Sequence, residues 1–145
     1  MPESNGKLKI LLADVSMTSR LALERILEKY GHCDAAEDGM DCVKAFTLAL
    51  ELGMPYDLVC MDLMLPRLGG IDAIKMMRKT EREMGVLTAD SVKIIVVTAL
   101  VNPAYIFEAC YRGGANLYLY KPVEKKKVIE EMIKFGLIKP VEKSL

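Results

Sequence analysis

The chain has 145 residues, 52% of them hydrophobic and 28% charged, with 20 basic side chains balanced by 20 acidic ones. That is the length of one ordinary domain, and a chain this apolar with no net charge is not a disordered one. With no surplus of positive charge it is not expected to bind nucleic acid, and no apolar run reaches the roughly 18 residues of a membrane span. Leu8 to Ala13 is apolar apart from Lys9 and predicts a first strand. Met17 to Tyr30 carries apolar residues at helical spacing, with Ser16 as its cap and Gly31 as its stop. Cys33 to Ala36 predicts a short strand, and Met40 to Leu52 a helix between Gly39 and Gly53. Leu58 to Met61 is a buried strand flanked by Asp57 and Asp62, and Gly70 precedes a third helix over about Ile71 to Met84.

The Val- and Ile-rich run Val92 to Val97 is the clearest strand. Asn102-Pro103 predicts the cap and first turn of a fourth helix that runs to about Arg112 and stops at Gly113-Gly114. Leu117 to Tyr120 is a fifth strand and Val123 to Phe135 a fifth helix. Residues 8–136 are expected to form the domain, with 1–7 a flexible start and 137–145 a tail that could fray. Five strands alternating with five helices predict an α/β fold, a doubly wound parallel sheet covered on both faces. Neither a repeat nor a linker interrupts it.

The polar start, Met1 to Lys7, has no signal peptide, so a cytoplasmic location is expected. The cysteines (Cys33, Cys42, Cys60, Cys110) lack CxxC spacing and His32 is the only histidine, which argues against zinc. They are expected to be reduced, and three of them to behave as small buried hydrophobes. His32 is expected in an exposed turn, without a role.

In such sheets the working site lies beyond the carboxyl ends of the strands, where strand order reverses. Four polar residues end apolar runs: Asp14, Asp62, Thr98 and Lys121. Two carboxylates, a hydroxyl and an ammonium meeting there suit a dication and a phosphoryl group. Magnesium takes oxygen ligands and keeps waters for the rest. A carboxylate can attack phosphorus and form an aspartyl phosphate, and a lysine and a metal would neutralise the transferring charge. Each residue also has a plainer reading. Asp62 and Asp14 could be caps, Thr98 a strand residue, and Lys121 a solvated cation.

In order along the chain, the segments Ile10-Leu11-Leu12-Ala13-Asp14 with Arg20, Asp57 to Pro66 with Gly70, Val96-Val97-Thr98-Ala99, and Gly114 to Pro122 resemble the four motifs of response-regulator receiver domains. The resemblance covers about Lys9 to Phe135. It implies a flavodoxin-like sheet of order 2-1-3-4-5 with five helices. It implies Asp62 as phosphoacceptor, Asp62, Thr98 and Lys121 as the catalytic set, and Thr98 with Tyr118 as a two-position switch. It further implies magnesium on Asp14, Asp62 and the carbonyl of Met64, and a cis bond before Pro122. Tyr118 and Tyr120 share one strand face, and for Tyr120 edge packing is the simpler reading.

The sequence departs from the family at one place. Receivers carry two adjacent acids after the first strand, where this chain has Asp14-Val15. Val15 cannot ligate a metal, so magnesium is expected to bind weakly and phosphotransfer to be slow.

The resemblance implies a stand-alone response-regulator receiver in a two-component phosphorelay, not an enzyme beyond self-phosphorylation and self-dephosphorylation. Its partners would be a sensor histidine kinase and a downstream protein, because few residues follow the fifth helix. A homodimer through the fourth helix, fifth strand and fifth helix is a further expectation. There Lys125, Lys126 and Lys127 form either a solvated face or part of that surface. The alternative is a receiver-like binding module that works without phosphate. A haloacid-dehalogenase phosphatase would need an Asp where Met64 stands, and a flavodoxin would need glycine in the loop Val15 to Ser19.

Overall fold

In a computed structural model describing residues 7–140, each expected strand and helix forms. They are β1 (Leu8–Ala13), α1 (Met17–Leu27), β2 (Gly31–Ala36), α2 (Gly39–Glu51), β3 (Leu58–Met61), α3 (Gly70–Glu83), β4 (Lys93–Thr98), α4 (Pro103–Phe107), β5 (Leu117–Tyr120) and α5 (Lys125–Lys134). The strands pair in parallel in the order β2-β1-β3-β4-β5. Most of the expected 1–7 and 137–145 segments lies outside the described residues. Of the latter segment, Leu137 and Ile138 lie against the core, and the Leu137 N–H donates to the Met132 carbonyl at 2.9 Å.

Alternation along the strands divides the interior in two. Leu11, Val59, Met61, Ile94 and Val96 face α2, α3 and the helical turn after α4, where they meet Phe46, Ile74, Met77 and Ala109. Their neighbours Ile10, Leu12, Leu58, Cys60, Ile95 and Val97 face α1 and α5, against Leu23, Leu27, Val128 and Met132. A parallel sheet covered on both sides needs continuous apolar strands, which is why β3 and most of β1 and β4 are apolar without a break. Cys42 and Cys60 are buried within these clusters, and burial pushes each thiol up to about 12. Cys33 and Cys110 are half-buried, and all four thiols are free.

The caps read from the sequence form. Ser16 Oγ accepts from the Ser19 N–H at 3.2 Å to start α1, and Asn102 Oδ1 from the Ala104 N–H at 3.0 Å to start α4. Several boundaries differ. Helix α1 ends at Leu27 rather than Tyr30, and Gly31 opens β2 instead of merely stopping the helix. A Cβ at Gly31 would collide with the Leu8 carbonyl, so only glycine lets β2 begin there. His32 therefore lies in a strand, not a turn; it is exposed, with Nε2 3.0 Å from Asp34 Oδ1. The fourth helix is α-helical only to Phe107 and continues as a π-helix from Glu108 to Gly113. Gly113 lies against α3, where an added Cβ would sit 3.6 Å from Ile74 Cγ2. Helix α5 begins at Lys125, two residues later than its apolar pattern suggests, and Lys125, Lys126 and Lys127 are exposed.

Candidate functional site

The switch in strand order falls between β1 and β3, and the loops after these strands stand side by side. Asp14 follows β1 with its N–H on the Ala36 carbonyl at 3.0 Å, and Asp62 follows β3 with its N–H on the Ala13 carbonyl at 2.9 Å. Sheet pairing thus continues one residue beyond each strand and fixes the two carboxylates. Each carboxylate then turns back on its own loop. Asp14 Oδ1 accepts from the Ser16 N–H at 2.9 Å, and Asp62 Oδ1 from the Met64 N–H at 3.1 Å. Arg20, on α1, donates its guanidinium to the Asp14 carbonyl.

Lys121 enters from the end of β5, its N–H held by the Thr98 carbonyl at 2.9 Å. Its Nζ lies 2.7 Å from Asp14 Oδ2 and 2.7 Å from Asp62 Oδ2. The peptide bond from Lys121 to Pro122 is cis, as the resemblance implies. Both carboxylates are buried. Two carboxylates held this close repel each other, and the ammonium between them offsets this. Burial is the largest single influence on Lys121 and lowers its pKa. The hydrogen bonds and charges of Asp14 and Asp62 outweigh it, so the ammonium ends above the ordinary lysine value. One cation against two anions leaves the cluster with a surplus negative charge.

Thr98 is fully buried at the end of β4, and its Oγ1 accepts from the Leu100 N–H at 3.0 Å. The hydroxyl therefore keeps its own hydrogen to donate. Leu100 is half-buried and Ala99 exposed. Val15 is 55% exposed and points no donor atom at the cluster.

Residues 10–133 match the response regulator receiver domain family. The chain belongs to that family. It is 30% identical over 128 residues to the chemotaxis protein CheY of Thermotoga maritima, covering 87% of this chain and 95% of that one. It is 31% identical, over 86% of its length, to the sensory/regulatory protein RpfC of Xanthomonas campestris, of which it spans only 16%. Among solved structures, the CheX–CheY–BeF3–Mg complex of Borrelia burgdorferi superposes with a TM-score of 0.76 at 19% identity, covering 91% of this chain and 92% of that chain.

Receivers typically bind Mg2+ and interact with histidine kinases and partner proteins. In this receiver the Asp14 and Asp62 carboxylates meet at Lys121, and Met64, whose carbonyl is the third donor the resemblance implies, is 65% exposed with its N–H on Asp62. Among the described residues no three His, Cys, Asp or Glu side chains gather as a metal cage. Each carboxylate oxygen bears one hydrogen bond and retains a further lone pair. Magnesium accepts one or two carboxylates with waters completing its shell, so these residues fit the ion with one anionic oxygen group fewer than a pair of acids would give.

Of the residues singled out from sequence, Asp14, Asp62 and Lys121 meet directly. Thr98 lies beside them with its hydroxyl on the main chain. Tyr118 points outward, its ring 5.5 Å from that of Tyr120 and at 71° to it. The cap of α1 falls to Ser16 rather than to Asp14. Sequence reasoning missed the contact beneath the acceptor loop. There Arg67 Nη1 donates to Asp38 Oδ2 at 3.0 Å. The Asp38-Gly39 step ahead of α2 was a visible helix start, but the partner 29 residues away had no local signature.

Proposed function

We propose that this receiver takes a phosphoryl group from the phosphohistidine of a sensor histidine kinase onto Asp62 and signals through protein contact. The carrying observation is the Asp62 carboxylate at a strand end, bridged through Lys121 to Asp14. An Asp62 oxygen attacks phosphorus while the phosphorus–nitrogen bond breaks, and the bonding electrons return to the imidazole. Little covalent chemistry is asked of the protein, and positioning and charge do the work. The Met64 N–H fixes Asp62 through Oδ1 and leaves the other oxygen facing Lys121. As the phosphoryl group arrives, Lys121 keeps Asp14 and turns its ammonium to a phosphoryl oxygen. Thr98 donates its free hydrogen to another.

Asp14, Asp62 and the Met64 carbonyl would hold magnesium, weakly for want of a second acid, and the ion would supply neutralisation of the phosphoryl oxygens. Movement of Thr98 toward the phosphoryl group opens space behind it, into which Tyr118 swings from its outward position. The surface that reads this out is formed by α4, β5 and α5. It carries two exposed aromatic pairs, Phe107 stacked on Tyr111 with ring centroids 4.6 Å apart, and Tyr118 with Tyr120. A downstream protein or a second copy of the chain would bind there. The protein has no activity beyond gaining and losing this group. Receivers usually work in the cytoplasm, and that location belongs to this reading; separately, no described helix is long and apolar enough to cross a membrane.

Val15 favours a second reading, a receiver that binds its target without phosphate. One experiment separates the two: incubation with acetyl phosphate and magnesium, followed by intact mass. A gain of one phosphoryl group, absent in Asp62→Asn, supports transfer. No gain at any magnesium concentration supports the phosphate-independent module.

A further inference from the structure

The loop from Leu63 to Gly69 contains Met64, whose N–H orients the Asp62 carboxylate. Its root is tied to α3, since the Gly70 N–H donates to the Leu63 carbonyl at 2.9 Å. Its apex rests on a different element, the N-terminus of α2. The Gly39 N–H donates to the Pro66 carbonyl at 3.3 Å, and the missing Cβ of Gly39 leaves room for the Leu68 carbonyl. Arg67 adds the ion pair to Asp38, a buried carboxylate whose other oxygen caps α2 through the Asp41 N–H at 2.8 Å. To make that contact Arg67 adopts a φ of 67°, and it is the only non-glycine with positive φ among the described residues. A side chain disfavours that region, so a glycine would relax the backbone there while losing the guanidinium.

We infer that Arg67 is a positioning residue: its pairing with Asp38 clasps the apex of the acceptor loop to α2 and thereby sets the Met64 amide against Asp62. Asp38 belongs to the β2–α2 connection and its carboxylate is hydrogen-bonded to Asp41 and Arg67, not to Asp14, Asp62 or Lys121, so the clasp acts on the site through the loop. This rests on the reading of Asp62 as phosphoacceptor, which it extends by naming what holds the acceptor's own loop.

Arg67→Gly separates holding the loop from holding the fold. A purely structural arginine would lower thermal stability and activity together. A clasp predicts the opposite pattern. Arg67→Gly should melt no lower than the parent protein, yet need about threefold more magnesium for half-maximal phosphorylation by acetyl phosphate, within the roughly fivefold ceiling of a partly exposed ion pair. Its Met64 amide should exchange with solvent several-fold faster in a residue-resolved hydrogen-exchange experiment. Asp38→Asn, which can still accept from the Asp41 N–H, should reproduce both changes, and combining it with Arg67→Gly should add nothing further. Arg67→Lys should restore most of the parent behaviour. If Arg67→Gly leaves both the magnesium requirement and Met64 exchange unchanged, the clasp is wrong. Should the parent protein take up no phosphoryl group at all, the acceptor reading falls instead. Met64 exchange then decides the clasp by itself, with faster exchange supporting it and unchanged exchange overturning it.

Discussion

Two charged clusters lie at opposite ends of the same sheet, and they differ in a telling way. Beyond the amino ends of β4 and β5, Arg78 donates to Glu81 Oε1 at 2.7 Å, to the Gly114 carbonyl at 2.9 Å and to Asn116 Oδ1 at 2.9 Å. Glu81 is buried, and its second oxygen accepts from the Val92 N–H at 2.8 Å; Asn116 Oδ1 also takes the Ile94 N–H at 2.8 Å. That cluster is neutral, one guanidinium against one carboxylate, both carried on α3 and reaching Gly114, Asn116 and Val92 through their remaining hydrogen bonds. It ties α3 to the openings of β4 and β5. The Asp14–Lys121–Asp62 cluster is as deeply placed but carries two anions for one cation. Burial therefore does not tell the two apart. Surplus charge does, because a balanced buried pair has nothing left to attract, whereas an unbalanced one calls for a cation or a reacting group.

The sharpest way to break this contrast is to remove one acid from each end. Asp62→Asn should abolish phosphoryl uptake, read by intact mass, and leave the fold in place. Glu81→Ala should do the reverse: uptake persists at temperatures where the domain is folded, while urea titration shows a loss of about 3 kcal/mol from stranding Arg78. If Glu81→Ala also blocked uptake in the folded protein, the two ends would not be independent.

A smaller effect concerns Lys121. Its pKa is raised on folding, so its contribution to stability is complete below the ordinary lysine range near 10.4 and fades as pH climbs through the higher folded value. Lys121→Met should therefore be less stable than the parent by about 2 kcal/mol from pH 7 to 9, with two carboxylates left to repel each other. The gap should narrow only above about pH 10.5. A gap that closed on acidification to pH 7 would refute the assignment. The smallest change adds charge instead of removing it. Val15→Asp should tighten magnesium by roughly tenfold, since affinity follows the number of anionic ligands, measured by calorimetry or by the magnesium dependence of uptake. Unchanged affinity would mean that Val15 is not where the missing ligand belongs.

Much of this was legible in the chain because strands in a doubly wound sheet are apolar throughout and end on polar residues. Leu58–Met61 and Leu117–Tyr120 were bounded without error, each set off by a turn on both sides. The meeting of Asp14, Asp62 and Lys121 followed from parallel topology, since all three leave strands at the same edge. What stayed hidden was long-range or steric. Gly31 looks like a helix stop, and only the approach of the Leu8 carbonyl explains why β2 begins there. The π-helical turn after Phe107 keeps an ordinary amphipathic pattern, so nothing local announces it. Arg67 and Asp38, or Arg78 and Asn116, are single polar residues whose partners lie 29 and 38 positions away.

The sheet also acts as a wall. Phe46, Ile74 and Met77 occupy one compartment, Leu27, Val128 and Met132 the other, and the strand backbones run between them. A side chain shortened on one side leaves a hole that no residue across the wall can slide in to fill. Damage in each compartment is accordingly its own, and a designer stabilising this protein can treat the α1–α5 side and the α2–α3 side as separate problems whose gains simply add.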